Sequence, residues 1–265
     1  MSGADRTAGP PPADGAPHLH ILTGASRGLG RAIASRLLRP GHRLVCIARG
    51  EDAALDAEAR AAGVACEQWR LDLADAGAAA DRLREWLGDR PAGTFSAATL
   101  INNAGTIPPL VPLRAAEDAD TARALRVGLE APLLLTAAFL AATRDWTAPR
   151  RVLNISSGLG RRPMASQAAY CTAKAGMDMF TRCAALDEAQ RPHGARLCSL
   201  APGVIDTGMQ GQLRSADGDD FPDRARFAAL RSEGRLSSPE DAAAQVLAYL
   251  ARPDFGDEPV ADVRG

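Results

Sequence analysis

A chain of 265 residues and 27.7 kDa with 46% hydrophobic and 24% charged residues has the composition of an ordinary globular protein, which excludes a disordered or fibrous one. Its 31 basic and 32 acidic residues leave a net charge of −1, so no basic excess points to nucleic acid or to a membrane surface. Five scattered cysteines without C-x-x-C spacing exclude a disulfide scaffold or a cysteine zinc site, so no metal is expected and a reducing, cytoplasmic compartment is. No apolar run reaches the roughly 18 residues of a membrane span.

In chain order, residues 1–17 are rich in Pro, Gly and Ala and predict a disordered tail without the apolar core of a secretory signal. From 18 to 265, strand-like runs (19–25, 43–48, 64–73, 98–104, 151–157, 195–202 and 259–263) alternate with helical periods (27–39, 52–62, 75–88, 117–143, 166–190 and 239–251). Ser238-Pro239-Glu240 opens the last helix with a capping hydroxyl, a proline at the first helical position and an acid in the first turn. The alternation predicts an α/β fold: a single Rossmann-type doubly wound domain with a seven-stranded, mostly parallel sheet flanked by helices. Only 206–237 breaks the pattern. Its scattered glycines around Phe227–Leu230 predict an irregular lid.

The first strand runs into Thr23-Gly24-Ala25-Ser26-Arg27-Gly28-Leu29-Gly30. Small residues between a strand and a helix let the backbone approach a pyrophosphate, which then faces the free N–H groups of the helix. The other reading is a tight strand-to-helix turn; the flanking strand and amphipathic helix favour the phosphate. Arg49 ends the second strand, where an NAD-preferring protein usually offers a carboxylate. With Arg27 it can pair with a 2′-phosphate, which favours NADP(H); the alternative is two solvated arginines, and Glu51 and Asp52 stand close enough to blur the preference. Asp72, beside Leu73 at the end of the third strand, is read either as an acceptor for an adenine amino group or as a cap of the next helix. Asn102-Asn103-Ala104-Gly105 ends the fourth as a ribose platform or a simple turn.

One count stands out. The chain has a single lysine, Lys174, and only two tyrosines, and Tyr170 lies four residues before that lysine. In a helix the two share a face. Ser157 ends the fifth strand; Ser156 is its rival, and adjacent strand residues point to opposite faces, so only one reaches the site. In order along the chain, Thr-Gly-x-x-x-Gly-x-Gly, Asn-Asn-Ala-Gly, Ser157 and Tyr170-x-x-x-Lys174 resemble the short-chain dehydrogenase/reductase family from about residue 19 to 265.

The resemblance implies Ser157, Tyr170 and Lys174 as the catalytic set: the serine donates to a carbonyl oxygen, the tyrosine passes a proton, and the lysine lowers the phenol pKa and binds the nicotinamide ribose. It places the cofactor on Gly24, Ser26, Arg27, Gly28, Leu29, Gly30, Arg49, Asp72, Leu73, Asn103, Ala104, Gly105, Pro202, Gly203, Val204 and Thr207, together with Tyr170 and Lys174. Family members commonly carry an Asn where this chain has Gly128, so a water or a neighbour must complete any proton relay. Residues 101–106, 169–176 and 199–210 are similar to the branch that holds the benzil and sepiapterin reductases. That likeness implies a small-molecule carbonyl substrate, such as a vicinal diketone reduced to an (S)-hydroxyketone, and a homodimer, with a tetramer as the alternative. Substrate-side residues would be Leu159, Met164 and Met209, with Leu213, Phe221 and Phe227 of the lid. Asp262 aligns with a pterin-anchoring Asp, or else pairs with Arg264 or solvent. Arg161 and Arg162 would meet an acidic substrate or simply be solvated. Other ketones and secondary alcohols, or a non-catalytic NADP(H) sensor, remain as rivals.

Overall fold

Strands that are apolar on both faces need a layer of helices on each, and this chain supplies both. The computed structural model describes Pro10 and residues 13–264. Strands β1 His18–Thr23, β2 His42–Ala48, β3 Ala65–Arg70, β4 Ala97–Asn102, β5 Arg150–Ile155, β6 Arg196–Ala201 and β7 Val260–Asp262 form one sheet in the order β3-β2-β1-β4-β5-β6-β7. All neighbours are parallel. The helices are α1 Gly28–Leu37, α2 Ala53–Ala62, α3 Ala76–Gly88, α4 Asp118–Leu125, α5 Ala131–Ala142, α6 Ala168–Ala189, α7 Gly208–Ser215, α8 Arg224–Ser232 and α9 Pro239–Ala251.

Period-two alternation sorts the strand residues into two cores. Leu19, Ile21, Val45, Leu100 and Val152 pack with Leu83 of α3 and Phe139 of α5. Leu22, Leu44, Ile101, Leu153 and Leu200 pack with Ile33 of α1 and Val246 of α9. The strand order reverses between β1 and β4, which opens a crevice at their C-terminal ends.

The structure refines three expectations. The single helix expected over 117–143 is α4 and α5 joined by a π-helical turn, Arg126–Glu130, that contains Gly128. Within the 25 residues Asp118–Ala142, an 18-residue window with a mean hydropathy of 1.6 is apolar enough to pass for a membrane span, although Arg126 and Glu130 interrupt it; half of that window is buried inside the domain. The lid is not irregular: α7 and α8 lie within it, despite Gly211 inside α7. Its base is strapped shut, with Ser237 N donating to Val204 O and Asp206 N donating to Ser237 O. Of the predicted tail, residues 1–9, 11 and 12 lie outside the described residues, whereas Ala13 N donates to Gly93 O and Pro17 O accepts from Ser96 N.

At the opposite edge of the sheet, His18 and His20 of β1 stack at 4.0 Å between ring centroids, and His42 of β2 lies 4.6 Å from His20. Burial and the neighbouring rings push His18 down to about 4 and His20 well below the ordinary histidine value. Both are neutral when folded and take up protons once unfolded below about pH 6.5. Folding stability is therefore full above about pH 6.5 and falls as pH drops toward 4, by about 1.4 kcal/mol per pH unit for each histidine. Denaturant titrations across this range should show the fall, and His20→Leu should flatten it; an unchanged slope would remove this assignment.

Candidate active site

Four segments meet at the C-terminal edge of β1, β4, β5 and β6. The turn after β1 lies so close to the end of β4 that a β-carbon at Gly24 would come within 2.9 Å of Ala104 Cα, and one at Gly30 within 2.1 Å of Gly24 O. Gly24 and Gly28 also hold φ of +71° and +54°, a region that suits glycine. Thr23 Oγ1 accepts from both Asn103 N and Ala104 N at 2.9 Å, and Asn103 Nδ2 returns a bond to Thr23 O. The Asn103 side chain thus stitches two strand ends together, leaving its backbone with Ala104 and Gly105 along the crevice. A β-carbon on Gly28 would lie 3.4 Å from Thr207 Cγ2, which brings the Pro202–Thr207 segment to the same turn.

The start of α1 fits a bound pyrophosphate. No side chain caps it and its first turn holds no acid, as at α5, α6, α7 and α8, and at α1 alone among these the glycine-lined turn after β1 lies directly in front. Uncapped N–H groups at a helix end with small residues in front of it are suited to an anion. Ser26 and Arg27 are exposed there, and the Leu29 and Leu73 side chains are core residues, so any contact they make with a cofactor is through the backbone. Arg49 is exposed as well. Two of the nearby carboxylates are engaged, Asp52 by Arg31 and the α2 N-terminus and Asp72 by Arg123 at 2.9 Å and Ala74 N at 3.0 Å, whereas Glu51 is exposed. Of the two readings for Asp72, capping the next helix falls to Asp75 instead.

Tyr170 and Lys174 share the inner face of α6, 9% and 4% exposed. Lys174 Nζ lies 5.8 Å from the Tyr170 ring centroid and donates to Ile155 O at 2.7 Å. A β-carbon at Gly105 would lie 3.9 Å from Nζ, so the cradle leads directly to the lysine. Burial pushes the phenol up to about 12, partly opposed by the Ser157 hydroxyl, and pushes the ammonium down to about 8, opposed by Asp178. Burial is thus the largest influence on both groups, and the phenol is the acid form at neutral pH.

Ser157, not Ser156, is turned to this side. Its Oγ accepts from Leu159 N at 3.1 Å, while Ser156 Oγ donates to Asp178, one turn beyond Lys174 on α6. Gly128 has a packing reason: a β-carbon there would lie 3.1 Å from Ala173 Cβ, next to Lys174. An asparagine at 128 would press on that neighbour as well as add an amide.

Met164, Leu213, Phe221 and Phe227 pack into one cluster with Ile107 and Leu110, the two phenyl rings 5.7 Å apart. These predicted lining residues pack on one another as the lid's own core, while Leu159 and Met209 are half-buried. Asp262 accepts from Arg264 N, Nε and Nη2 at 2.6–3.0 Å, so it pairs with Arg264. Arg161 follows neither expectation: its Nε donates to Asp178 Oδ2 at 3.1 Å and its Nη2 to Ala261 O at 3.0 Å. Asp178 was missed in the sequence, although its place four residues after Lys174 on an apolar face was legible.

The short chain dehydrogenase family model matches residues 19–218. A benzil reductase ((S)-benzoin forming) of Bacillus cereus is 38% identical over 235 residues, covering 89% of this chain and 94% of its own. A sepiapterin reductase of Meriones unguiculatus is 34% identical over 246 residues, covering 89% and 92%. Among solved structures, a metagenomic short-chain oxidoreductase in complex with NADP superposes with a TM-score of 0.69 at 28% identity, covering 94% of this chain and 96% of that one.

Thr23 is 1% exposed, so Thr23→Val would keep its shape and leave two buried N–H groups without an acceptor. We expect a loss of about 2–4 kcal/mol in chemical denaturation; a loss under half a kcal/mol would show that the two strand ends do not depend on that hydroxyl.

Proposed function

The chain belongs to the short-chain dehydrogenase/reductase family, and within it we propose an NADPH-dependent reductase of ketones and 1,2-diketones, of the benzil type, giving an (S)-hydroxyketone. The observation that carries this reading is the buried Tyr170 phenol beside the buried Lys174 ammonium at the end of the glycine-lined cradle. A protonated phenol is the starting state of a general acid that completes a carbonyl reduction.

In this reading the backbone around Gly24–Gly30 and the Pro202–Thr207 segment hold the diphosphate, and Asn103–Gly105 the ribose. Arg27 and Arg49 hold the 2′-phosphate. Bound there, the nicotinamide supplies a hydride. Ser157 donates to the substrate oxygen and Tyr170 passes its proton to that oxygen as the negative charge develops. Lys174 holds a positive charge beside the phenol and hydrogen-bonds the ribose. The apolar lid keeps water out, which strengthens each of these interactions. A pteridine substrate, raised by the likeness to sepiapterin reductase, would call on the Asp262 carboxylate, and Arg264 already occupies it.

We place the protein in the cytoplasm as a homodimer. Its five cysteines are free, which suits a reducing compartment. Leu133 of α5 and Met179 and Leu186 of α6 are exposed, and large exposed apolar groups on neighbouring helices favour self-association. A monomeric mass in solution scattering would overturn the dimer.

The direct test follows NADPH oxidation with benzil and aliphatic diketones. Tyr170→Phe should lower turnover by roughly 10²–10⁴-fold with cofactor binding retained. Replacing Arg27 and Arg49 together by Ala should raise KM for NADPH by roughly ten- to a hundredfold and leave NADH unaffected. Full activity in the Phe variant would refute the mechanism, and no diketone turnover would refute the substrate class.

A further inference from the structure

Asp178 is the most deeply placed carboxylate on α6, 2% exposed, and a carboxylate taken from water costs several kcal/mol unless its oxygens are satisfied. They are satisfied from three elements. Oδ1 accepts from Ser156 Oγ after β5 and from Ser199 Oγ of β6, both at 2.6 Å, and Oδ2 accepts from Arg161 Nε at 3.1 Å. Arg161 in turn donates to Ala261 O of β7. Gly160 is wedged against the same group, since a β-carbon there would lie 3.0 Å from Asp178 Oδ2 and from the Lys174 carbonyl.

We propose that Asp178 is a positioning residue of the site: it clamps the Ser156–Arg161 segment and, through Arg161, β7 against the helix that carries Tyr170 and Lys174, and it supplies the counter-charge for Lys174. This rests on the reading of Lys174 given above. Lys174 lies one helical turn away on the same face, where opposite charges interact. Burial draws the ammonium down to about 8, and Asp178 is the group that opposes it. The other titratable groups around this carboxylate are Arg161, Cys198 of β6, and beyond Arg161 the Asp262–Arg264 pair of β7. Arg161 shares the negative charge of Asp178 and so draws it away from Lys174.

That geometry makes two substitutions act in opposite directions, which a merely structural role would not do. Removing the carboxylate in Asp178→Asn should let Lys174 deprotonate at lower pH, by roughly one unit. Removing the competitor in Arg161→Gln should raise the same midpoint. The chain has a single lysine, so biosynthetic labelling of the lysine side-chain nitrogen with ¹⁵N gives one side-chain resonance whose pH titration reads Lys174 directly. The alkaline limb of benzil reduction should move with it, acidward in Asp178→Asn and upward in Arg161→Gln. An unmoved midpoint in a folded Asp178→Asn protein, or shifts of the same sign in both variants, would overturn the proposal. If Asp178→Asn does not fold, the half-exposed Arg161→Gln decides alone: a raised midpoint supports it and an unchanged one overturns it. Since the titration needs no turnover, a moved midpoint without benzil reduction would count against the substrate reading and leave this clamp standing.

Discussion

The turn after β1 and the end of β4 lie too close for any side chain to stand between them, and the rest of the site is arranged around that approach. Gly24 and Gly30 supply the space, and Thr23 and Asn103 supply the bonds that make it tight. With the two strand ends locked, the start of α1 faces the crevice with its N–H groups uncapped. The Pro202–Thr207 segment closes over Gly28 from the β6 side, and the Ala104–Gly105 edge leads from the cradle to Lys174. The shape of the crevice is thus set by backbone packing, with side chains deciding only the details at its ends.

At the other end, burial and charge oppose each other. A phenol and an ammonium in a dry pocket are each driven toward their neutral forms, the phenol upward in pKa and the ammonium downward. Left alone, such a pocket would dispense with the positive charge beside the tyrosine. Asp178 stands against that outcome, and its own burial is made tolerable by two serines and an arginine from the surrounding strands and loop. The strain of holding charge in a low-dielectric site is passed outward from Lys174 to Asp178 to Arg161, which is partly open to solvent.

The architecture was legible because its signals are local and repeated: apolar runs alternating with helical periods, small residues after β1, Ser157 and the Tyr170–Lys174 spacing. The seven strands fell where the runs were, trimmed where the motif residues leave the sheet. What escaped reading depends on contacts distant in sequence. Glycines 208 and 211 looked like helix breakers, yet burial of Leu213 of α7 against Phe221 and Phe227 outweighs the roughly 1 kcal/mol a helical glycine costs. Arg161 looked like a loop residue awaiting a substrate or solvent, because nothing local announces a carboxylate 17 residues on. Gly128 looked like a missing asparagine, and only the approach of Ala173 gives its small size a packing role.

The single lysine then has a physical rationale. Arginine serves nearly every other cationic position, and where it is fully buried, at Arg150, the guanidinium engages Glu188 at 3.8 Å, His193 O and Thr143 Oγ1 and still leaves Nε without a partner. A planar fork of five N–H donors demands a ring of acceptors that a reaction site cannot provide without filling itself. An ammonium is compact: at Lys174 one donor goes to Ile155 O and a weak contact to Met177 Sδ at 4.0 Å, without a ring of acceptors filling the site. Its charge is also adjustable by burial, as a guanidinium's is not, so a neighbouring carboxylate can decide its state near neutral pH. A chain that uses arginine everywhere else keeps a lysine at the one position where a small, tunable cation is needed.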